Sequence, residues 1–282
     1  MKIFLFAALV AAGSSFAQTQ PVTPTATNWK LATGYRAESF HTQNVAQFAY
    51  EVGAASSGQL TIDVFRNSTL AKLAEISQAV CDGKARAGET IMTSLVRDIP
   101  IAGADWVPFV VSSYSDAQQL WKLQRPGIEK HFAGLLGAKP VDVAMVDVGK
   151  ALAEGRMDNM ITSALTGVEN KVWGQIKYYY EINAWFPKNV VFVNAKAFES
   201  LKPETRSAVL KAAGDAEVRG WAASQALATS ATEELRVNGV KIERIPADVE
   251  QEIKRMGEKF SREWVSSVGN EANTIFVPYY FK

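Results

Sequence analysis

The feature that most constrains the fold is an alternation of strand and helix periods in the first third of the chain. Trp29–Thr33 (WKLAT) reads as a short strand. A helix over Thr42–Ser56 follows, with Val45, Phe48, Ala49 and Val52 on one face. Ser57-Gly58 stops it, and Leu60–Phe65 (LTIDVF) alternates in the manner of a strand. A second helix spans Leu70–Asp82, carries Leu73, Ile76, Ala79 and Val80, and is closed by Gly83. Glu89–Met92 is the third strand. Strands separated by helices pair in parallel, because only a crossover connection is long enough to join them. The β-α-β-α-β order therefore predicts an α/β chain with a largely parallel sheet and helices on both faces.

Further along, Ser115–Leu123 reads as a helix with an Asp-bearing start, Val141–Met145 as a strand and Val148–Glu154 as a helix ending at Gly155. Val190–Asn194 (VVFVN) is β-branched and reads as a buried strand. From Pro203 the pattern stays helical to about Asn238-Gly239. Val209, Ala212, Ala213, Ala216, Gly220, Ala223, Leu227 and Leu235 form its stripe, with Pro203 suited to the first turn and Gly239 to the stop. About 35 residues at 1.5 Å rise make a helix roughly 50 Å long, wider than one lobe, so it is expected to cross two. Lys241–Ile245 is a strand. Asp248–Val268 is an amphipathic helix carrying Ile253, Met256, Phe260 and Trp264.

The N-terminus has the layout of an export signal. Lys2 precedes an uncharged apolar run, Ile3–Ala12, and Ser15 and Ala17 place small residues before a cleavage point at Gln18. A run this short falls below the roughly 20 residues that span a bilayer; a buried N-terminal helix is the alternative. Residues 1–17 are thus assigned to a signal peptide and 18–27 (QTQPVTPTAT) to a flexible leader. The remaining 255 or so residues suffice for one large domain or two lobes. Thirty basic and 29 acidic residues give a net charge of +1 without a basic run, which argues against a nucleic-acid partner. Cys81 is the one cysteine, so no disulfide forms within the chain, and its helix face suits core filling.

Catalytic signatures are missing. His41 and His131 are the only histidines, too few for a multi-histidine metal site. They read as structural or exposed. No GxSxG elbow, no GxxxxGK[ST] and no GxGxxG occurs, so neither an enzyme nor a cofactor is expected.

Five segments, taken in order, resemble one family. They are GQLTIDVFRNSTL (Gly58–Leu70), the helix ending in Asp82-Gly83, DWVPFVVSSYSDAQQLW (Asp105–Trp121), GAKPVDVAMVDVGKALAEGRMDNM (Gly137–Met160) and PKNVVFVNAKAFESLKPETRSAVLKAA (Pro187–Ala213). Together they are similar to the DctP-like extracytoplasmic solute receptors of tripartite ATP-independent periplasmic (TRAP) transporters, over nearly the whole chain after the leader. The resemblance implies a type II periplasmic-binding-protein fold, with two α/β lobes, a hinge and a long bridging helix. It also implies a periplasmic receptor that captures a small organic acid in the inter-lobe cleft and delivers it to membrane permease subunits, by closure over the ligand. The expected division is lobe I over 28–130, a shortened lobe II over 131–186, the return strand and long helix over 187–240, and a C-terminal strand and helices over 241–282. The oligomeric state is left open.

The sequence departs from the family pattern between Phe132 and Leu135. Glu129-Lys130-His131-Phe132-Ala133 runs directly into Gly134-Leu135-Leu136-Gly137. About 40 residues, two strands and a helix by ordinary element lengths, are missing there. In the family this stretch carries the arginine that clamps the ligand carboxylate. Neither Arg125 nor Arg156 matches it. The second lobe is thus expected to be incomplete and acid binding weakened or lost, since a bidentate arginine is the usual carboxylate anchor.

Cleft residues are sought at the C-terminal ends of strands. Gly34 and Tyr35 follow the first strand, with an ordinary turn as the alternative. Glu89 and Thr93 belong to the third, and Glu89 inside AGETIM needs a ligand or a salt-bridge partner, the structural pair being favoured. Thr162 and Ser163 offer hydroxyls to a ligand or cap a helix. Trp173 and Trp185 suit a cleft wall or a core. Asn189 offers an amide across the cleft or serves a turn. Competing readings are a receptor reporting to a sensor protein, an exported α/β hydrolase using a nucleophile near His41 or His131, and a binding-defective deletion form.

Overall fold

A computed structural model describes residues 26–107, 111, 113–120, 153–154, 162–183 and 185–280. The expectations for the signal peptide, for most of Val141–Glu154, for the Ala133-Gly134 junction and for Arg125, His131, Arg156 and Asp158 lie outside these residues.

The first strand, β1 (Thr27–Thr33), is flanked on both sides by parallel partners. With β2 (Leu60–Phe65), β3 (Ala87–Ile91) and a later strand, β5 (Asn189–Val193), it forms a four-stranded sheet ordered β2-β1-β3-β5. Period-two alternation sends Trp29 and Leu31 to one face, against Val45, Phe48 and Val52 of α1 (Phe40–Ala55). Ala32 goes to the other face, against Ile76 and Val80 of α2 (Ile76–Cys81). A fully buried leucine such as Leu31 contributes about 1.5–3 kcal/mol relative to exposure.

Five local expectations need correction. β1 begins at Thr27, inside the expected leader, because the Thr27 amide donates to the Gln59 carbonyl at 2.8 Å and Asn28 Nδ2 to Thr61 Oγ1 at 3.0 Å. The helix expected over Leu70–Asp82 shrinks to a 3-10 turn, Leu73–Glu75, and α2. The chain before it is held instead by β1: the Asn67 amide donates to the Tyr35 carbonyl and the Ser68 amide to the Thr33 carbonyl. β5 was expected to be buried; it pairs antiparallel with β3, stands at the sheet's edge among the described residues, and leaves Val191 43% exposed. Cys81 is half-buried at the end of α2. The stretch at 114–120 is helical as expected, but its cap is Ser113, whose hydroxyl accepts from the Asp116 amide at 3.1 Å.

The long helix runs over Pro203–Val237, 35 residues. Near its start Val209 and Ala212 join the β1–α1 core; near its end Ala231 and Leu235 join a separate cluster with Ala164, Val172 and Val240. None of its residues from 213 to 230 is buried. The second cluster surrounds the short helix Ala164–Glu169 and a two-stranded parallel sheet of β4 (Tyr178–Tyr180) and β6 (Lys241–Glu243). Gly239 takes φ +87°, the left-handed turn that releases the chain from the helix into β6. A third cluster packs Met92, Leu95, Ile99 and Ile101 against Trp264, Ile275 and Phe276 of the C-terminal helices Ala247–Val268 and Asn270–Tyr280.

Candidate functional site

Parallel pairing and the antiparallel return of β5 bring chemistry to one edge of the large sheet. Register sets Thr33, the last residue of β1, beside Glu89 of β3, and sets Asn189, the first of β5, beside Ile91. The C-terminal edge of parallel strands is where α/β sheets hold ligands.

Glu89 is 2% exposed. The Thr33 hydroxyl donates to its Oε2 at 2.7 Å, and Asn189 Nδ2 donates to its Oε1 at 3.1 Å. Tyr35 extends the chain by donating its hydroxyl to Asn189 Oδ1 at 3.2 Å. Burial pushes the Glu89 carboxyl above its ordinary range, against the two hydrogen bonds that favour its anion. Burial and the nearby Glu89 also push the Tyr35 hydroxyl up. The salt-bridge partner expected for Glu89 is replaced by neutral donors: among the described residues no lysine or arginine ion-pairs with it.

His41, expected to be structural or exposed for want of partners, has them. Its ring stacks on Tyr35 with centroids 4.4 Å apart and tilts against Phe40 at 3.9 Å. Its Nδ1 lies 3.6 Å from Glu89 Oε1. Burial lowers its pKa to about 4, so the imidazole is neutral at physiological pH.

The loop after β1 meets the second cluster. Arg36 Nη1 donates to the Glu169 carbonyl at 3.5 Å, and Arg36 moderates the rise that burial imposes on the Glu169 carboxyl. Tyr35 feels Glu169 as well. The loop after β1, next to the polar edge of the large sheet, thus reaches the end of the helix Ala164–Glu169. Gly34 lies where a Cβ would sit 2.8 Å from Leu73 Cδ1, so the loop needs glycine there.

Of the candidates named from sequence, Tyr35, Glu89 and Asn189 form one hydrogen-bonded group. Thr93 sits half-buried in the 3-10 turn Met92–Leu95 just beyond β3. The other three have local duties. Ser163 caps its helix by accepting from the Thr166 amide at 3.2 Å. Trp173 packs against the Ala164–Leu235 cluster. Trp185 donates its Nε1 to the Trp106 carbonyl at 3.0 Å, on the segment leading into β5. Thr33 and His41 were missed. The parallel register that puts Thr33 beside Glu89 was the signal for one, and the position of His41 in the first turn of α1 was the signal for the other.

An open apolar groove between α1 and β2, lined by Ala46, Tyr50, Gly53, Ile62 and Val64, contains none of these residues. Among the described residues no cluster of His, Cys, Asp and Glu could hold a metal ion, and no helix is long and apolar enough to cross a membrane.

Residues 124–267 match the family described as bacterial extracellular solute-binding protein, family 7 (DctP). No match is found among curated proteins. Solved structures are closely similar. DctP6, a Bordetella pertussis extracytoplasmic solute receptor binding pyroglutamic acid, superposes with a TM-score of 0.85 at 29% identity, over 91% of this chain and 100% of that one. DctP7 of the same organism, which also binds pyroglutamic acid, gives 0.85 at 30% identity over 90% and 99%. A marine-metagenome TRAP solute-binding protein specific for pyroglutamate gives 0.84 at 29% over 90% and 98%. All three are described as solute receptors or solute-binding proteins, and nothing supports the hydrolase reading. The chain belongs to the DctP family of extracellular solute-binding proteins and is a TRAP-type solute receptor, not an enzyme.

Proposed function

We propose that this receptor captures a small carboxylic acid carrying an N–H or O–H donor, in the cleft between the β1–β3–β5 edge and the helix Ala164–Glu169. The observation that carries this reading is the buried Glu89, held by Thr33 and Asn189 and lacking a cationic partner among the described residues. A buried carboxyl is costly unless its polar atoms are satisfied, and a ligand N–H or O–H would add a donor to those of Thr33 and Asn189. Tyr35, Asn189 and Thr93 line the same wall, and closure against the second lobe encloses the ligand. The three similar receptors bind pyroglutamate, a small acid with one amide N–H, which fits the same requirement.

In this reading residues 28–130 build lobe I, 131–186 a shortened lobe II, and the long helix joins them. Residues 1–17 export the chain to the periplasm, and membrane permease subunits receive the ligand.

Thermal unfolding of the exported chain, Gln18–Lys282, with and without millimolar acids tests the proposal. Pyroglutamate at 100 times its dissociation constant should stabilise the chain by about 2.7 kcal/mol. A shift that Glu89→Gln abolishes supports the reading. A sharp melt moved by no acid refutes it and favours the deletion form, in which the missing arginine segment has cost the function.

A further inference from the structure

The loop after β1 sends two neighbouring side chains to different elements. Tyr35 reaches the sheet edge, where its hydroxyl donates to Asn189 Oδ1; Arg36 reaches the helix Ala164–Glu169, where its Nη1 donates to the Glu169 carbonyl. The backbone beneath them is held at each step. The Tyr35 amide donates to Thr33 Oγ1 at 3.3 Å, the Tyr35 carbonyl accepts from the Asn67 amide at 2.8 Å, and the Arg36 carbonyl accepts from the Ser39 amide at 3.2 Å. Arg36 is half-buried, and its link to the Glu169 carbonyl is long, at 3.5 Å, and exposed. Glu169 is exposed as well, and its carboxyl feels Arg36 as an opposite charge and Glu38 as a like one. A guanidinium carries five N–H donors in a planar fork that matches a carboxylate, a better acceptor for it than a peptide carbonyl. A captured acid brings its own negative charge near Glu89, so its carboxylate requires a cation within reach.

We propose that Arg36 is the cation that takes the carboxylate of the captured acid, giving up the end of the helix Ala164–Glu169 to do so. This deepens the reading of the cleft as an acid site and rests on it. The acid then lies beside Tyr35, with its N–H or O–H toward Glu89 and its carboxylate on the fork of Arg36. No covalent bond forms and no proton has to move. Glu169, being exposed, turns to water when its counter-charge is taken, so that Arg36 and the ligand balance each other. An acid with a donor meets both groups, whereas its neutral amide meets only the first.

Calorimetric titration of the exported chain with pyroglutamate and with its primary carboxamide, which keeps the ring N–H and carries no charge, tests this. The wild type should prefer the acid. Arg36→Gln should lower the affinity for the acid about tenfold to a hundredfold, as loss of hydrogen bonds to a charged group requires, and that for the amide far less. Arg36→Lys should fall between, since it keeps the charge without the fork. Glu169→Gln removes the competing anion and should tighten binding of the acid alone, by about two- to fivefold. Equal losses for acid and amide in Arg36→Gln, or an undiminished preference for the acid, would overturn the role of Arg36. If Glu89→Gln abolishes binding while Arg36→Gln keeps the preference for the acid, the reading of the cleft stands and Arg36 alone is struck. Binding of neither compound by the wild type would overturn that reading and this proposal with it.

Discussion

Lys188 meets Asp105 twice at the entrance to β5: its backbone amide donates to Asp105 Oδ2 at 2.8 Å and its Nζ lies 3.4 Å from the same oxygen. Both side chains are buried, at 8% and 0% exposure, and Asp105 Oδ1 has no hydrogen-bond partner. Burial raises the Asp105 carboxyl and lowers the Lys188 amine, and each charge opposes the shift of the other. Breaking such a pair from one side strands a buried charge. Asp105→Ala or Lys188→Ala should therefore cost about 3–5 kcal/mol, while a paired apolar replacement costs much less. Urea unfolding of the two single variants and Asp105→Leu/Lys188→Met checks this; equal losses in all three would contradict it.

Glu89 and His41 should tilt the stability–pH curve in opposite directions. The folded chain holds the Glu89 proton where the unfolded chain, near pH 4.5, has released it. That contribution is full below pH 4.5 and is lost as pH rises through the raised folded value. His41 falls from 6.5 unfolded to about 4 folded. Its contribution is full above pH 6.5 and is lost as pH falls toward 4, on the order of 3 kcal/mol in all. Glu89→Gln should thus gain on the wild type toward neutral pH, and His41→Gln toward pH 5. Melting curves between pH 4.5 and 8 decide it, and two variants parallel to the wild type would rule out both assignments.

Gly34→Ala should destabilise the chain by about 1–3 kcal/mol, the usual cost of overpacking. The added methyl would meet Leu73 Cδ1 at 2.8 Å and Leu73 Cβ at 2.9 Å. Leu73→Ala should recover part of the loss in the double variant, because the two sites are in direct contact. Additive losses in denaturant melts would show that the clash is not the cause.

Leu235→Ala should cost about 2–5 kcal/mol by emptying the second cluster, where Leu235 is 1% exposed. Amide exchange should accelerate around Ala164–Glu169 and β4 before it does in β1. Uniform acceleration across both sheets would mean that the two clusters melt as one.

The elements most readable in the sequence were those whose burial repeats with a clear period. Val45, Phe48, Ala49 and Val52 predicted α1, alternation predicted β2, and Pro203 with Gly239 bracketed the long helix. Errors arose where tertiary hydrogen bonds overrode local preference. Ties from Asn67 and Ser68 to the end of β1 kept residues before Leu73 out of a helix, and a carbonyl on Gln59 drew Thr27 into a strand. At the candidate site the carboxylate, the amide and the phenol could be named from their places after strands. Their mutual bonds could not, because those depend on which strands neighbour one another and in what register. His41 was misread for the same reason: its partners lie 6 and 48 positions away in the chain, at Tyr35 and Glu89.

The long helix joins the first cluster near its start and the second near its end, and its middle is tied sideways to α1: Asn44 Nδ2 donates to the Ala216 carbonyl at 2.8 Å and Arg219 Nη1 donates to Glu51 Oε1 at 2.8 Å. An unbroken ladder of backbone hydrogen bonds resists stretching. The helix is therefore a spar that holds the two clusters at a fixed distance.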